Sequence, residues 1–135
     1  MESALTSLLL DTHVVLWWST SELDNLSPRA RAVIENADEL AVASISWFEL
    51  AWLAQHDRIA STVPLRTWLE TMAVQVRTVS LTPAIVATAT ELPDSFPGDP
   101  MDRIIYATAI ERGWSLVTKD ERMRRHPNPR PMTLW

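Results

Sequence analysis

The apolar positions of this chain follow two rhythms, one that suits strands and one that suits helices. The run Leu8-Leu9-Leu10 is continuous, as expected of a strand buried on both faces, and predicts a strand over 7–11 that ends in Asp11. A short apolar helix over 14–18 follows. Ser27-Pro28 places a capping side chain before a proline at the first helical position, predicting a helix through Ile34. A second strand is expected over 40–44. Ser46-Trp47-Phe48-Glu49 has the spacing of a capping box, which predicts a helix from Ser46 to about Gln55. Beyond it the pattern predicts a helix over 64–72, a strand over 74–79 and a helix over 83–91. Asp99-Pro100 repeats the cap-then-proline signal and opens a helix through Arg112. Its stripe is Met101, Ile104, Ile105 and Ala109, and Gly113 is its natural stop. A short strand over 115–118, a basic helical turn near 121–125 and a last strand over 132–134 complete the chain. Strands alternating with helices predict an α/β fold with a mainly parallel central sheet. Active sites of such sheets gather outside the carboxyl ends of the strands.

Composition narrows the chemistry. At 135 residues, with 47% hydrophobic and 21% charged positions, residues 1–135 fit one globular domain. There is no internal repeat, low-complexity tract or linker. With no cysteine, zinc fingers, iron–sulfur clusters, disulfides and thiol nucleophiles are excluded, and a reducing cytoplasm is compatible. Gly98 and Gly113 are too few for a phosphate-cradling loop. No apolar run is long enough to cross a bilayer, and residues 1–6 carry Glu2 without positive charge, so neither a membrane span nor a signal peptide is expected.

A net charge of −5 argues against a simple phosphate-neutralising nucleic-acid binder. It does not exclude an enzyme whose carboxylates surround cations. The basic residues Arg103, Arg112, Lys119, Arg122, Arg124, Arg125 and Arg130 crowd the last third of the chain. They form either a phosphate-contacting patch or a solvated helix face.

Four acids fall where this topology places active sites. Asp11 ends the first strand and Asp120 follows the 115–118 strand. Asp102 and Glu49 sit in the first turns of predicted helices. Each has an ordinary structural explanation: Asp11 as a helix cap, Glu49 as half of a capping box, Asp102 as a dipole partner, Asp120 as a turn residue. Brought together, they would raise one another's pKa values unless a cation neutralised them. Hard divalent ions such as Mg²⁺ or Mn²⁺ take such all-oxygen sets, with water and substrate phosphate completing the shell. Spacing alone leaves their convergence open.

The run from Leu8-Leu9-Leu10-Asp11-Thr12 through Trp18 resembles the opening strand and helix of PIN-domain toxins of the VapC type. Ser44-Ile45-Ser46-Trp47-Phe48-Glu49-Leu50-Ala51 resembles their second motif. The run from Asp99-Pro100-Met101-Asp102-Arg103 to Ala109 resembles the third, and Leu116-Val117-Thr118-Lys119-Asp120 the fourth. All four occur in family order. The resemblance implies a PIN-like three-layer fold and a Mg²⁺- or Mn²⁺-dependent endoribonuclease, the toxin of a toxin–antitoxin pair. Its acidic set maps onto Asp11, Glu49, Asp102 and Asp120. Asp11 and Asp102 would be the main metal ligands, Asp120 a direct or water-mediated one, and Glu49 would orient water.

Thr12 and Thr118 would hydrogen-bond these carboxylates or serve as ordinary strand-end hydroxyls. Asp99 has a sufficient role as a cap but lies three residues from Asp102, and ranks below it. Relatives often carry a histidine just before the Asp-Pro pair; here the loop is Ser95-Phe96-Pro97-Gly98. His13, two positions after Asp11, either approaches the cleft or has a packing or capping role, the latter preferred, while His56 and His126 are expected at the surface. Of the seven tryptophans, Trp17, Trp18, Trp47 and Trp52 belong either to the core or to an exposed groove. The resemblance implies that such a groove receives an antitoxin helix and supports a homodimer. It also implies an RNA substrate, with a structured-RNA loop such as that of a tRNA as the favoured class. A catalytically silent PIN module and a PIN nuclease of RNA processing are the alternatives. A receiver-like signalling module is disfavoured by the single acid after the first strand.

Overall fold

The computed structural model describes residues 5–56, 62–128 and 130–135. Residues 1–4, part of the stretch expected not to be a signal peptide, lie outside them. Five parallel strands, β1 (Ser7–Leu10), β2 (Glu39–Ala43), β3 (Arg77–Val79), β4 (Ser115–Val117) and β5 (Thr133–Leu134), form one sheet in the order β3-β2-β1-β4-β5. The helices are α1 (Thr12–Ser19), α2 (Pro28–Asn36), α3 (Ser44–Gln55), α4 (Leu65–Ala73), α5 (Pro83–Glu91), α6 (Pro100–Arg112) and α7 (Glu121–Arg125).

Alternation along the strands divides the core into two layers. Leu8, Leu10, Val42 and Val117 point to the side where Val14, Val15, Ala30, Ile34, Leu50 and Met72 bring α1 to α4. Leu9, Ala41, Ala43 and Leu116 point to the other, where Ile85, Ala89, Ile105, Tyr106, Ala109 and Met123 bring α5 to α7. The inner strands β1, β2 and β4 thus bury both faces, which is why their sequences are apolar runs, whereas β3 exposes Arg77 and Thr78. The expected three-layer α/β architecture is what forms.

Several strands are shorter than their patterns predict, β1 stopping at Leu10 and β4 at Val117, each one residue early. The strand expected over 74–79 is confined to Arg77–Val79, because Val74 ends α4 in helical geometry and is 84% exposed. The last strand begins at Thr133, although Met132 still receives the Leu116 N–H. At Gly113 the expected stop is realised: φ is +69°, and its N–H returns to the carbonyls of Ala109 and Ile110.

The strand order positions the site. From β1 the chain moves outward through β2 to β3, then returns to the other side of β1 as β4. The segments leaving β1 and β4 therefore diverge, opening a crevice at their carboxyl ends. Leu10 pairs with Val117, so Asp11 lies level with Thr118, and the Asp11 N–H donates to the Val117 carbonyl at 3.0 Å.

Candidate active site

At this crevice the structure forms a cleft of about 460 Å³. Its lining brings together all four predicted acids, Asp11, Glu49, Asp102 and Asp120, and Asp99 as well. His13, Val14, Trp17 and Lys119 complete the lining.

Asp11 is set by the register. Its Oδ1 accepts the Thr12 N–H at 2.8 Å, capping α1, and its Oδ2 accepts the Thr118 hydroxyl at 2.6 Å. Burial pushes its pKa up, opposed by the bonds from Thr118 and Thr12 and reinforced by the nearby Glu49 charge. The Thr118 hydroxyl, fully buried, also accepts the Asp120 N–H at 3.1 Å and so ties the two strand ends together. Asp120 turns its Oδ1 to the N–H groups of Arg122 and Met123 and caps α7.

Thr12 behaves differently from the reading that gave it a carboxylate partner. Its side chain donates to the Ser46 hydroxyl at 3.0 Å, both groups buried, joining the first turn of α1 to that of α3. The capping box is corrected at the same place. The chain enters α3 directly from β2, with Ala43 as the cap and no side-chain cap bond, so Ser46 is already inside the helix. Glu49, one turn beyond Ser46, has no capping duty and faces the cleft.

Asp99 is the cap of α6: its Oδ1 accepts the N–H groups of Met101 and Asp102, at 2.8 and 3.1 Å. It also borders the cleft. Asp102 carries the strongest electrostatic signature. Burial, followed by the charges of Asp11, Asp99, Asp120 and Glu49, lifts its pKa to about 7. These carboxylates share one electrostatic environment, and the charge of His13 is the smallest of the influences on Asp11.

Such a donor set suits a hard divalent cation. It is all oxygen and includes two carboxylates that burial holds toward their neutral forms. Among the described residues, no three acidic or histidine side chains are already drawn into a closed cage. The arrangement is an open cleft, as expected where an ion keeps positions for water and a phosphate oxygen.

Residues that sequence reasoning misassigned also shape the cleft. Arg103, grouped above with the basic patch, spends its guanidinium on five backbone carbonyls, those of Ala89, Leu92, Pro93, Phe96 and Pro97, at 3.0–3.3 Å. Prolines in this loop leave carbonyls without helix or sheet partners, and one planar five-donor group collects them. The loop delivers Asp99 and the start of α6. Arg103→Ala is therefore expected to cost about 2–4 kcal/mol, with Arg103→Lys recovering little because an ammonium cannot span the set. Chemical denaturation of the two variants checks this; a loss below ~1 kcal/mol for Arg103→Ala would contradict it.

Other members of the basic group are also engaged: Arg125 pairs with Glu121, Arg130 donates to the Gly113 carbonyl, and Arg112 lies over Trp114. His126, expected at the surface, packs edge-on against Phe96 and Tyr106. His56 is exposed and stacks on Trp52. Most tryptophans pack against the core, whereas Phe48 and Trp52, one turn apart on α3, are exposed.

The PIN domain model matches residues 8–129, and the chain belongs to the PIN-domain family. Ribonuclease VapC22 of Mycobacterium tuberculosis is 60% identical over 131 residues, which is 97% of this chain and 100% of that protein. Among solved structures, DNA-bound VapBC from Salmonella typhimurium superposes with a TM-score of 0.68 at 19% identity, covering 96% of this chain and 98% of that one. A toxin–antitoxin complex from Klebsiella pneumoniae gives 0.63 at 15%, covering 95% and 96%. At these identities the superpositions speak for the fold.

Proposed function

We propose that this chain is a divalent-metal-dependent endoribonuclease and the toxin of a toxin–antitoxin pair, acting in the cytoplasm as a single PIN domain. The observation that carries this reading is the convergence of Asp11, Glu49, Asp102 and Asp120 in one cleft, with Asp102 lifted to about 7 by its neighbours. The 60% identity to Ribonuclease VapC22 supports the choice of RNA over other phosphodiesters.

Asp11 and Asp102 would hold Mg²⁺ or Mn²⁺, with Asp120 as a direct or water-mediated contributor. When bound, the ion supplies Lewis-acid charge at the scissile phosphate and acidifies water. The protein's own residues do the rest. Thr118 and the Thr12 N–H keep the Asp11 carboxylate aimed and favour its charged form. Glu49 is set by the helix that Thr12 and Ser46 anchor, and it accepts a proton from the attacking water or orients that water by hydrogen bonding. Asp99 serves chiefly as the cap that fixes the first turn of α6.

The solved relatives described as VapBC and toxin–antitoxin complexes support a small antitoxin as partner. The exposed Phe48 and Trp52 on α3 offer an apolar face for it or for a symmetric homodimer.

The test is RNA cleavage by purified, antitoxin-free protein with Mg²⁺ or Mn²⁺, beside an EDTA control. Cleavage is expected only with metal. Folded protein that cuts no RNA in a total cellular pool would leave a binding module as the better reading.

A further inference from the structure

The lining of the cleft also carries chemistry that metal binding does not use. Trp17 lines the cleft and makes ring contacts with His13 and Trp135, at centroid distances of 5.7 and 6.4 Å. The indole is thus positioned by neighbours on both α1 and the end of the chain. Lys119 lies next to Asp120 in sequence, yet among the described residues its ammonium pairs with no carboxylate; it sits over the Trp17 ring, 5.7 Å from the centroid. It is also the one lysine or arginine among the residues that line the cleft. An exposed ammonium over a half-buried indole gains only about 0.5–1 kcal/mol, less than a phosphate partner offers.

We propose that Trp17 and Lys119 form a nucleotide subsite beside the acidic cleft: an unpaired base of single-stranded RNA stacks on the indole, and the adjoining phosphate takes the Lys119 ammonium. This rests on reading the cleft as a nuclease site, and it specifies which form of RNA enters. Five carboxylates repel a polyanion wherever no cation stands, so the strand needs an anchor of opposite charge at the edge of the cleft. Lys119 supplies it. The base then occupies the indole face that the ammonium vacates. A cleft of about 460 Å³ matches a site for one small ligand rather than for a duplex. Paired bases are in any case unavailable for stacking on a side chain.

Binding can be measured apart from catalysis with a fluorescein-labelled, uncleavable 2′-O-methyl oligonucleotide in Mg²⁺, followed by fluorescence anisotropy. Trp17→Leu is expected to weaken single-strand binding by about tenfold or more. Trp17→Phe should keep most of the affinity, and neither variant should alter binding of a blunt duplex of the same sequence. Lys119→Gln should flatten the dependence of log affinity on log salt by about 0.7, the loss of one phosphate contact to a single strand. If Trp17→Leu fails to fold by circular dichroism, the Lys119→Gln slope decides. Unchanged single-strand affinity in folded Trp17→Leu, equal losses on duplex and single strand, or an unchanged salt slope would each overturn the subsite. Wild-type protein that binds the oligonucleotide through Trp17 but never cleaves RNA would support the subsite while removing the nuclease reading.

Discussion

Replacing Asp102 by asparagine is expected to lower metal-dependent RNA cleavage on the order of 10²–10³-fold while making the metal-free protein more stable. The cleavage loss follows from removing one preorganised charge at the reacting phosphate. The stability gain follows from the pKa of about 7. In the unfolded chain this carboxyl ionises near pH 4, so folding between about pH 4 and 7 takes up a proton. Its contribution is most favourable below about pH 4 and is lost as pH rises through 7, where the charge must be carried among Asp11, Asp99, Asp120 and Glu49. Asparagine removes that cost.

The carboxyl is only half-buried, so solvent screening limits the gain to about 1–2 kcal/mol, roughly 3–8 °C in melting temperature. The advantage should be absent near pH 4 and complete by pH 8. Added Mg²⁺ should reverse the ranking, because the wild type gains binding energy that Asp102→Asn forgoes. Melting curves at three pH values, with and without Mg²⁺, read all of this. A variant less stable than wild type at pH 8 without metal would refute the electrostatic account. Asp11→Asn should lose cleavage to a similar degree, whereas Asp99→Asn should lose little, since asparagine caps α6 about as well.

The carboxyl-end rule placed Asp11 and Asp120 at the sheet's lip, while the convergence of Glu49 and Asp102 with them came from the resemblance of the four motifs taken together. Leu8-Leu9-Leu10 could be assigned to a central strand because both its faces are buried, and the acid that follows such a strand must stand at the sheet's lip. Asp99-Pro100 likewise announced its helix, since the cap and the proline satisfy local needs that no tertiary contact overrides.

What could not be read depends on partners distant in the chain. Ser46 and Thr12 are separated by 34 positions and meet only because α1 and α3 lie side by side. Without that contact, Ser46-x-x-Glu49 has every local feature of a capping box. Arg103 is similar: charge counting placed it on the surface, whereas the loop it gathers reaches back to Ala89. Val74 and Val76 suggested an extended segment, but α4 continues through Ala73 and the strand needs only the three residues that pair with β2. His126 looked polar and free because Phe96 and Tyr106, its packing partners, lie 30 and 20 positions away.

Thr118 is the residue where local and distant information meet, and its substitution makes the second large effect. Thr118→Val keeps the shape of a fully buried side chain but deletes a donor to Asp11 Oδ2 and an acceptor for the Asp120 N–H. The Thr118 bond lowers the Asp11 pKa against the burial that raises it. Without it, Asp11 is held more strongly toward its neutral form, and its carboxyl is free to rotate. Cleavage at fixed, subsaturating Mg²⁺ should fall by about 10–100-fold, the usual cost of losing a group that orients a metal ligand. The Mg²⁺ concentration giving half-maximal rate should rise by a similar factor, with much of the maximal rate restored at saturation. Thr118→Ser, which keeps the hydroxyl, should recover most of both. A purely structural hydroxyl would lower the melting temperature in the valine variant and leave the metal titration where it was. Displacement of that titration, cured by serine, is what separates a hydroxyl that positions Asp11 from one that merely ends a strand.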